Sequence, residues 1–197
     1  MQKGQNYNHP EKGRSIKVDP IKDKKHIQTI KKLLADKPLD YALFVIGINT
    51  NLRASDLLGI KVGQVKNLIP GEEIVLNEKK TKKGRRLNLN KACIEAVQML
   101  LGSRKYNDED FLFTGQRGVL TVPTVGQKVK SWCLEINLKG NFAGHTLRKT
   151  FGYHQRVTFG TDLPTLMEIF NHSTQKQTLT YLCVQPDEIR NVYENEL

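Results

Sequence analysis

Cysteine is scarce in this 197-residue chain, with only Cys93, Cys133 and Cys183. The number is odd, and the spacings match neither a disulfide framework nor a zinc site. They read as ordinary thiols of a reducing cytoplasm. Long apolar runs are missing as well. No stretch approaches the ~18 apolar residues of a membrane span, and the opening Met-Gln-Lys-Gly-Gln-Asn-Tyr has no signal-peptide core. No internal repeat is visible. No carboxylate cluster is available to hold a metal, so neither a metal nor another cofactor is expected. Negative charge is in deficit: 20 Asp and Glu stand against 31 Lys and Arg.

That imbalance leaves a net charge of +11 and predicts a polyanionic partner. Nucleic acid fits best, because the basic residues recur along the whole chain. A solvated lysine surface is the plainer alternative. A DNA partner would place the protein in the cytoplasm, at the nucleoid. Hydrophobic residues make up 38% of the chain, enough for one core. Residues 1–19 are polar and basic and read as a flexible arm. Residues 20–197 read as the folded domain with a helical C-terminal tail.

From about Pro20 to Ala35 the pattern is helical, with Ile21, Ile27, Ile30, Leu33 and Leu34 near one face. Lys37-Pro38 breaks it. Residues 39–50 are nearly all apolar and predict a buried helix. Asn51 or Ser55 is then placed to cap a second short helix. Arg53 falls in the turn at the edge of the core, where an arginine is costly to bury without an anionic partner. Asp56 is one such partner and a bound phosphate is another. Residues 65–90 take strand character. A short strand near Val65-Leu68 is expected, then Ile74-Val75-Leu76 and Leu87-Asn88-Leu89 flanking a basic turn. Six of the eight residues from 79 to 86 are Lys or Arg, more than an edge hairpin needs against aggregation. Lys79, Lys82, Lys83, Arg85 and Arg86 therefore read as a finger on a phosphate backbone.

Lys91 to Leu101 is amphipathic and ends at Gly102. Phe111-Leu112-Phe113 is a short apolar segment. Pro123 to Leu138 predicts a helix with Trp132 in the core and with Lys128 and Lys130 facing DNA. Residues 145–159 predict the next helix. Thr161-Asp162-Leu163-Pro164 starts another. A short helix from Gln175 to Leu182 carries Tyr181. The acidic, amphipathic tail from Pro186 is suited to docking on its own body or on a neighbour.

Between Gly144 and Tyr181 three signals occur in order. Gly-His-Thr-Leu-Arg-Lys puts His145 and Arg148 one helical turn apart, projecting together. Phe-Asn-His-Ser-Thr occupies 170–174, and Tyr181 follows nine residues after His172. Phosphodiester transfer would unite Arg53, a hairpin lysine, His145, Arg148, His172 and Tyr181. The scissile phosphate gains negative charge in its transition state, and two arginines can each offer bidentate donors to its oxygens. A tyrosine with pKa ~10 is a weak nucleophile until an imidazole and nearby cations favour its phenolate. The leaving oxygen needs a proton, which a lysine on the hairpin can deliver. Taken singly, each residue has a plainer reading: His145 as a satisfied helix-start histidine, His172 as a helix-end partner of the dipole, and Tyr181 as a core tyrosine.

Together these residues resemble the catalytic domain of the tyrosine recombinases, the phage integrase family. Leu-Arg-Ala-Ser-Asp-Leu-Leu at 52–58 resembles the first box and His145-Thr-Leu-Arg148 the second. His172-Ser-Thr with Thr178-Leu-Thr-Tyr181 resembles the third. The likeness runs from about Pro20 to Tyr193. It implies a mainly helical fold with a small antiparallel β-sheet (α+β). It also implies a site-specific DNA recombinase that works through a 3′-phosphotyrosine intermediate without metal or ATP. On this resemblance Arg53 and Arg148 clamp the phosphate, His145 assists proton transfer, His172 hydrogen-bonds the phosphate and Tyr181 attacks. Asp56 supports Arg53. Lys80, before Thr81, fits the family's Lys-Thr pattern for the general acid, with Lys82 and Lys83 as alternatives. Lys149, next to Arg148, joins the DNA-contacting set.

The implied partners are double-stranded DNA, further copies of the chain exchanging a C-terminal segment, and accessory DNA-bending proteins. Two departures stand out. Asn171 replaces the glycine that often precedes the third-box histidine and is expected to alter a turn. Only about twenty residues precede the catalytic domain, so the chain is either an excised fragment or, the favoured expectation, a naturally short recombinase similar to those that invert fimbrial promoter segments. The alternatives are a catalytically silent DNA-binding regulator of the same fold and a relaxing topoisomerase of the same chemistry.

Overall fold

A computed structural model describes residues 18–77 and 84–182. Most of the predicted basic arm, the tip of the basic hairpin and the acidic tail lie outside the described residues, as does Cys183.

The helical periodicity after Pro20 becomes α1, Lys24–Leu33. It starts later than expected because the residues before it are tied to the body of the fold: the Ile21 amide donates to Thr150 Oγ1 at 2.9 Å and the Asp19 amide to the Asn141 carbonyl at 2.8 Å. Asp23 then caps the helix through the Lys25 amide at 2.7 Å. Pro38 opens α2, Pro38–Asn49, where its missing N–H costs nothing. Residues 42–47 of α2 are all buried, and Phe44 meets Trp132 edge to face at 5.8 Å. Trp132 is therefore a core residue, as its helical spacing suggested.

The short helix α3, Ala54–Leu57, has Arg53 at its N-cap position with no side-chain cap bond. Neither Asn51 nor Ser55 caps it. The Ser55 hydroxyl turns to Asp56 instead, at 3.3 Å. No strand forms near Val65-Leu68: a 3₁₀ turn occupies Val62–Gln64. The amides of Val62 and Gly63 bond the Asp110 and Asp108 carbonyls at 2.9 Å each, so the acidic loop takes the groups a strand would have used.

Strands β1, Glu73–Asn77, and β2, Gly84–Asn88, pair antiparallel with Glu73 opposite Asn88 and Asn77 opposite Gly84. Helix α4, Lys91–Gly102, is capped by Asn90 and packs along α2. A minimal hairpin follows, β3 Thr114–Gly115 with β4 Gly118–Val119. Helix α5, Val122–Glu135, ends earlier than the expected Leu138 because Asn137 turns left-handed at φ 55°. The Leu138 amide then returns to the Cys133 carbonyl at 2.8 Å. Burial pushes the Cys93 and Cys133 thiols up to about 12, consistent with inert structural cysteines.

Helix α6, Gly144–Tyr153, runs into a π-helical turn, His154–Thr158. Helices α7, Leu163–Phe170, and α8, Gln175–Leu182, complete the described fold. Two glycines allow close helix contacts around α6. A Cβ at Gly47 would stand 2.6 Å from Leu147 Cδ1, and one at Gly152 would stand 2.6 Å from Leu182 Cδ2. One face of α6 thus belongs to the main core, against α2 and α5. Another faces a small separate core of Leu166, Phe170 and Leu182, against which Tyr181 packs.

Candidate active site

The turn carrying Arg53 is fixed from both sides. Thr50 closes α2 by donating its hydroxyl to the Ile46 carbonyl at 2.8 Å, and Leu52 is buried. Between them the Asn51 amide donates to the Ile169 carbonyl. Arg53 Nη1 lies 3.7 Å from Asp56 Oδ2, whose carboxylate is enclosed. That separation is an ion pair but too long for a good hydrogen bond. Asp56 thus orients Arg53 while leaving the guanidinium a partly exposed face.

Helix α6 is anchored by Thr146, Leu147 and Thr150, all buried. Arg148 is only 4% exposed, and its Nη2 donates to the Phe170 carbonyl at 3.2 Å. The carbonyls of 169 and 170 both belong to the last turn of α7, where helical carbonyls lack intrahelical donors. Asn51 and Arg148 supply two of the missing donors. The end of α7 therefore holds the Arg53 turn and α6 in fixed relation, although the Asn51 bond spans 118 residues of chain.

Asn171 ends α7 at φ 53°, ψ 49°. This is the left-handed conformation for which glycine is the usual residue and asparagine the commonest replacement. The expected alteration of a turn is thus met by an asparagine in a glycine-like geometry. The His172 amide returns to the Met167 carbonyl at 2.9 Å, which aims the imidazole back toward α6. Its Nδ1 lies 3.0 Å from the hydroxyl of buried Thr178. Tyr181, three residues further along α8, brings its ring to 5.4 Å from His172 and 5.2 Å from Phe170. The Arg148 guanidinium stands 5.6 Å from the centroid of the same ring, and the Lys149 ammonium 5.5 Å.

The electrostatics tie Arg53 and His145 to the group. Burial lowers the His172 pKa from its ordinary value, and the charges of Arg148 and Arg53 lower it further. His145 keeps an exposed face, yet partial desolvation lowers its pKa too, followed by the charges of Arg148, Lys149 and Arg53. Both imidazoles are therefore neutral at neutral pH, able to accept or share a proton among fixed cations. Arg148, His172 and Tyr181 of one chain thus stand together, and Arg53 and His145 are coupled to them through their charges.

The remaining candidates are placed differently. Lys79, Lys80, Lys82 and Lys83 lie outside the described residues. Arg85 belongs to β2, and Arg86 is exposed, 3.6 Å from Glu73 across the hairpin. Lys149, grouped with the hairpin basics on sequence grounds, is 9% exposed and packs on the Tyr181 ring. Lys128 pairs with Asp40 at 2.7 Å, joining α5 to α2 where a DNA contact was expected. Sequence reasoning missed Asn51 as an anchor and Thr178 as the partner of His172; polar residues beside the boxes were the only local sign of either. A half-open cavity of about 660 Å³ beside the pocket is lined by Asn49, Asn51, Arg86, Asn88 and Glu168 among others. Among the described residues no helix is long and apolar enough to cross a membrane.

Residues 22–188 match the phage integrase family. The chain is 32% identical over 180 residues to the probable integrase/recombinase YoeC of Bacillus subtilis, covering 90% of this chain and 96% of that protein. It is 30% identical over 159 residues to tyrosine recombinase XerC of Caldanaerobacter subterraneus, covering 78% of this chain but only 44% of that protein. The fold is similar to that of XerA recombinase, with a TM-score of 0.72 at 18% identity over 94% of this chain and 65% of that one. It is also similar to XerH recombinase solved on its difH substrate after cleavage, with a TM-score of 0.68 at 19% identity over 90% of this chain and 53% of that one.

Proposed function

The chain belongs to the phage integrase family and is a tyrosine-type site-specific recombinase, and we propose that Tyr181 is its nucleophile, acting with Arg53, His145, Arg148 and His172. The Tyr181 hydroxyl loses its proton toward His145, directly or through a bound water, and the phenolate oxygen attacks the scissile phosphorus. The bond from phosphorus to the 5′-oxygen breaks as the phosphotyrosine bond forms, leaving a 3′-phosphotyrosine and a 5′-hydroxyl. Lys80 of the hairpin gives the leaving oxygen its proton. Arg53 and Arg148 hold the non-bridging oxygens as charge builds on them, and neutral His172 donates to one of them. Attack by a different 5′-hydroxyl reverses the sequence and reseals the strand, with no net change in phosphodiester bonds.

The observation that carries this reading is the packing of the Tyr181 ring within 5.6 Å of the Arg148 guanidinium. The phenol thus sits in its own chain's cationic pocket. DNA is the substrate, as it is for XerH in its difH complexes. The hairpin basics Lys79, Lys82, Lys83, Arg85 and Arg86 track the backbone, and copies of the chain assemble on DNA in the cytoplasm, with DNA-bending proteins as accessories.

The test uses nicked suicide duplexes built from inverted or direct repeats identified by sequencing the DNA beside the gene. Wild type forms an adduct that survives denaturation, and Tyr181→Phe forms none. Arg53→Ala and Arg148→Ala each abolish the adduct while keeping most of the salt-dependent binding, which is spread over many lysines. An adduct with Tyr181→Phe would overturn the assignment of the nucleophile. A protein that binds the repeats without forming any adduct would be the silent regulator instead.

A further inference from the structure

Lysines on a basic protein ordinarily keep their ammonium in water. Lys149 does not: it is 9% exposed, on the face of α6 that packs toward α8. Its ammonium stands 5.5 Å from the centroid of the Tyr181 ring. The preceding residue places a second cation on the same ring, with the Arg148 guanidinium at 5.6 Å. Phe170 and His172 take further sides of it, at 5.2 and 5.4 Å. The phenol is thus enclosed by two adjacent α6 cations, an aromatic platform and an imidazole.

We propose that Lys149 is a positioning residue for Tyr181, holding the ring against Arg148 and stabilising the negative charge that the phenol oxygen must carry to attack. The proposal rests on Tyr181 being the nucleophile. Two physical effects support it. A cation over an aromatic ring is attracted to the ring's negative face, more strongly when both are desolvated. A phenolate gains further from a fixed positive charge in a site where water cannot screen it. The charge of Lys149 also falls on His145 and, after burial and Arg148, helps hold its pKa below the ordinary imidazole value; a neutral His145 can take the phenol proton. The other charged or titratable groups against the Tyr181 ring are Arg148 on α6 and His172 before α8, with Arg53 acting from the α2–α3 turn on both histidines. Glu168 of α7 lines the neighbouring cavity.

The ionisation of Tyr181 can be read without DNA. The full chain is made with 3-fluorotyrosine at position 181, and the fluorine resonance is followed against pH. Lys149→Met and Lys149→Gln should each move the titration midpoint up by about one pH unit, equivalent to about a tenfold smaller phenolate fraction below it. Lys149→Arg should restore most of the shift. In the suicide assay the neutral variants should lose about tenfold in rate near neutral pH and recover toward alkaline pH, with the salt dependence of binding unchanged. A midpoint unmoved in a folded neutral variant overturns the proposal, as does a rate loss that is equal at every pH. Failure of both neutral variants to fold overturns it too, because Lys149 would then be a packing element. The fluorine titration does not depend on whether Tyr181→Phe still forms an adduct, so the two readings fail separately.

Discussion

The contact between α2 and α6 offers a sharp test of how the site is held. Gly47 lies in the last turn of α2, at the end of its buried stretch. A Cβ there would be 2.6 Å from Leu147 Cδ1, 3.1 Å from its Cβ and 3.2 Å from its Cγ. Carbon atoms rest about 3.5–4.0 Å apart, so Gly47→Ala must open a gap of ~1 Å. A new Leu147 rotamer cannot relieve all of it, because the Leu147 Cβ is fixed to the α6 backbone. Overpacking of this kind costs about 1–3 kcal/mol, and the better helix propensity of alanine offsets about 1 kcal/mol. The net loss is about 1 kcal/mol, or a fall of about 2–4 °C in Tm for a chain of this size.

The effect on cleavage should be larger. Leu147 sits between His145 and Arg148, and a misplacement of ~1 Å in a catalytic group can cost about 100-fold in rate. Thermal melts and adduct formation on a suicide duplex measure the two effects. The expected signature is non-additive. Leu147→Ala alone leaves a cavity costing about 2–5 kcal/mol, but in the Gly47→Ala background the new methyl partly fills it. An unchanged or raised Tm for Gly47→Ala, with strictly additive behaviour in the double variant, would refute the reasoning.

Two further outcomes are expected. Asn51→Ala should slow adduct formation by about tenfold with little change in Tm, because it releases the Arg53 turn from the end of α7 without removing apolar contacts; a large drop in Tm with unchanged cleavage would show the bond to be structural only. Stability should also decline in acid. His145, His154 and His172 all have pKa values lowered by burial and then by neighbouring cations, with the Ile21 carbonyl partly opposing this at His154. The unfolded chain therefore takes up protons first as pH falls below the ordinary imidazole value of about 6.5, and the stabilisation present above it is lost. Melts between about pH 5 and pH 8 should show Tm rising with pH. His154→Gln should flatten that rise, and a Tm that instead climbed toward acid would contradict the lowered pKa values of the three rings.

Much of this was legible in the chain because it is local. The unbroken apolar run at 39–50 could only be a buried helix, and Asp162-Leu163-Pro164 marks a helix start in any context. The two arginine boxes, the histidines and Tyr181 could be picked out as candidates from residue type and spacing alone, and so could the basic turn between the two strands. The failures are equally specific. Val65 to Leu68 has strand composition, yet the turn before it gives its amides to the acidic loop forty-odd residues later in the chain. Lys128 and Lys149 look alike as lysines on helices, but one pairs with Asp40 and the other lies against a tyrosine ring.

What the linear order of residues determined by itself was the set of candidate groups and the helices that carry them, since both depend on periods and spacings within a few turns. Which of those groups meet was decided only in three dimensions. The end of α7 binds Asn51 from the α2–α3 junction and Arg148 from within α6, and glycines at 47 and 152 let α2 and α8 close on α6. Those contacts join residues distant along the chain, and a local pattern of hydrophobic and polar positions cannot encode which distant carbonyl a given amide will find.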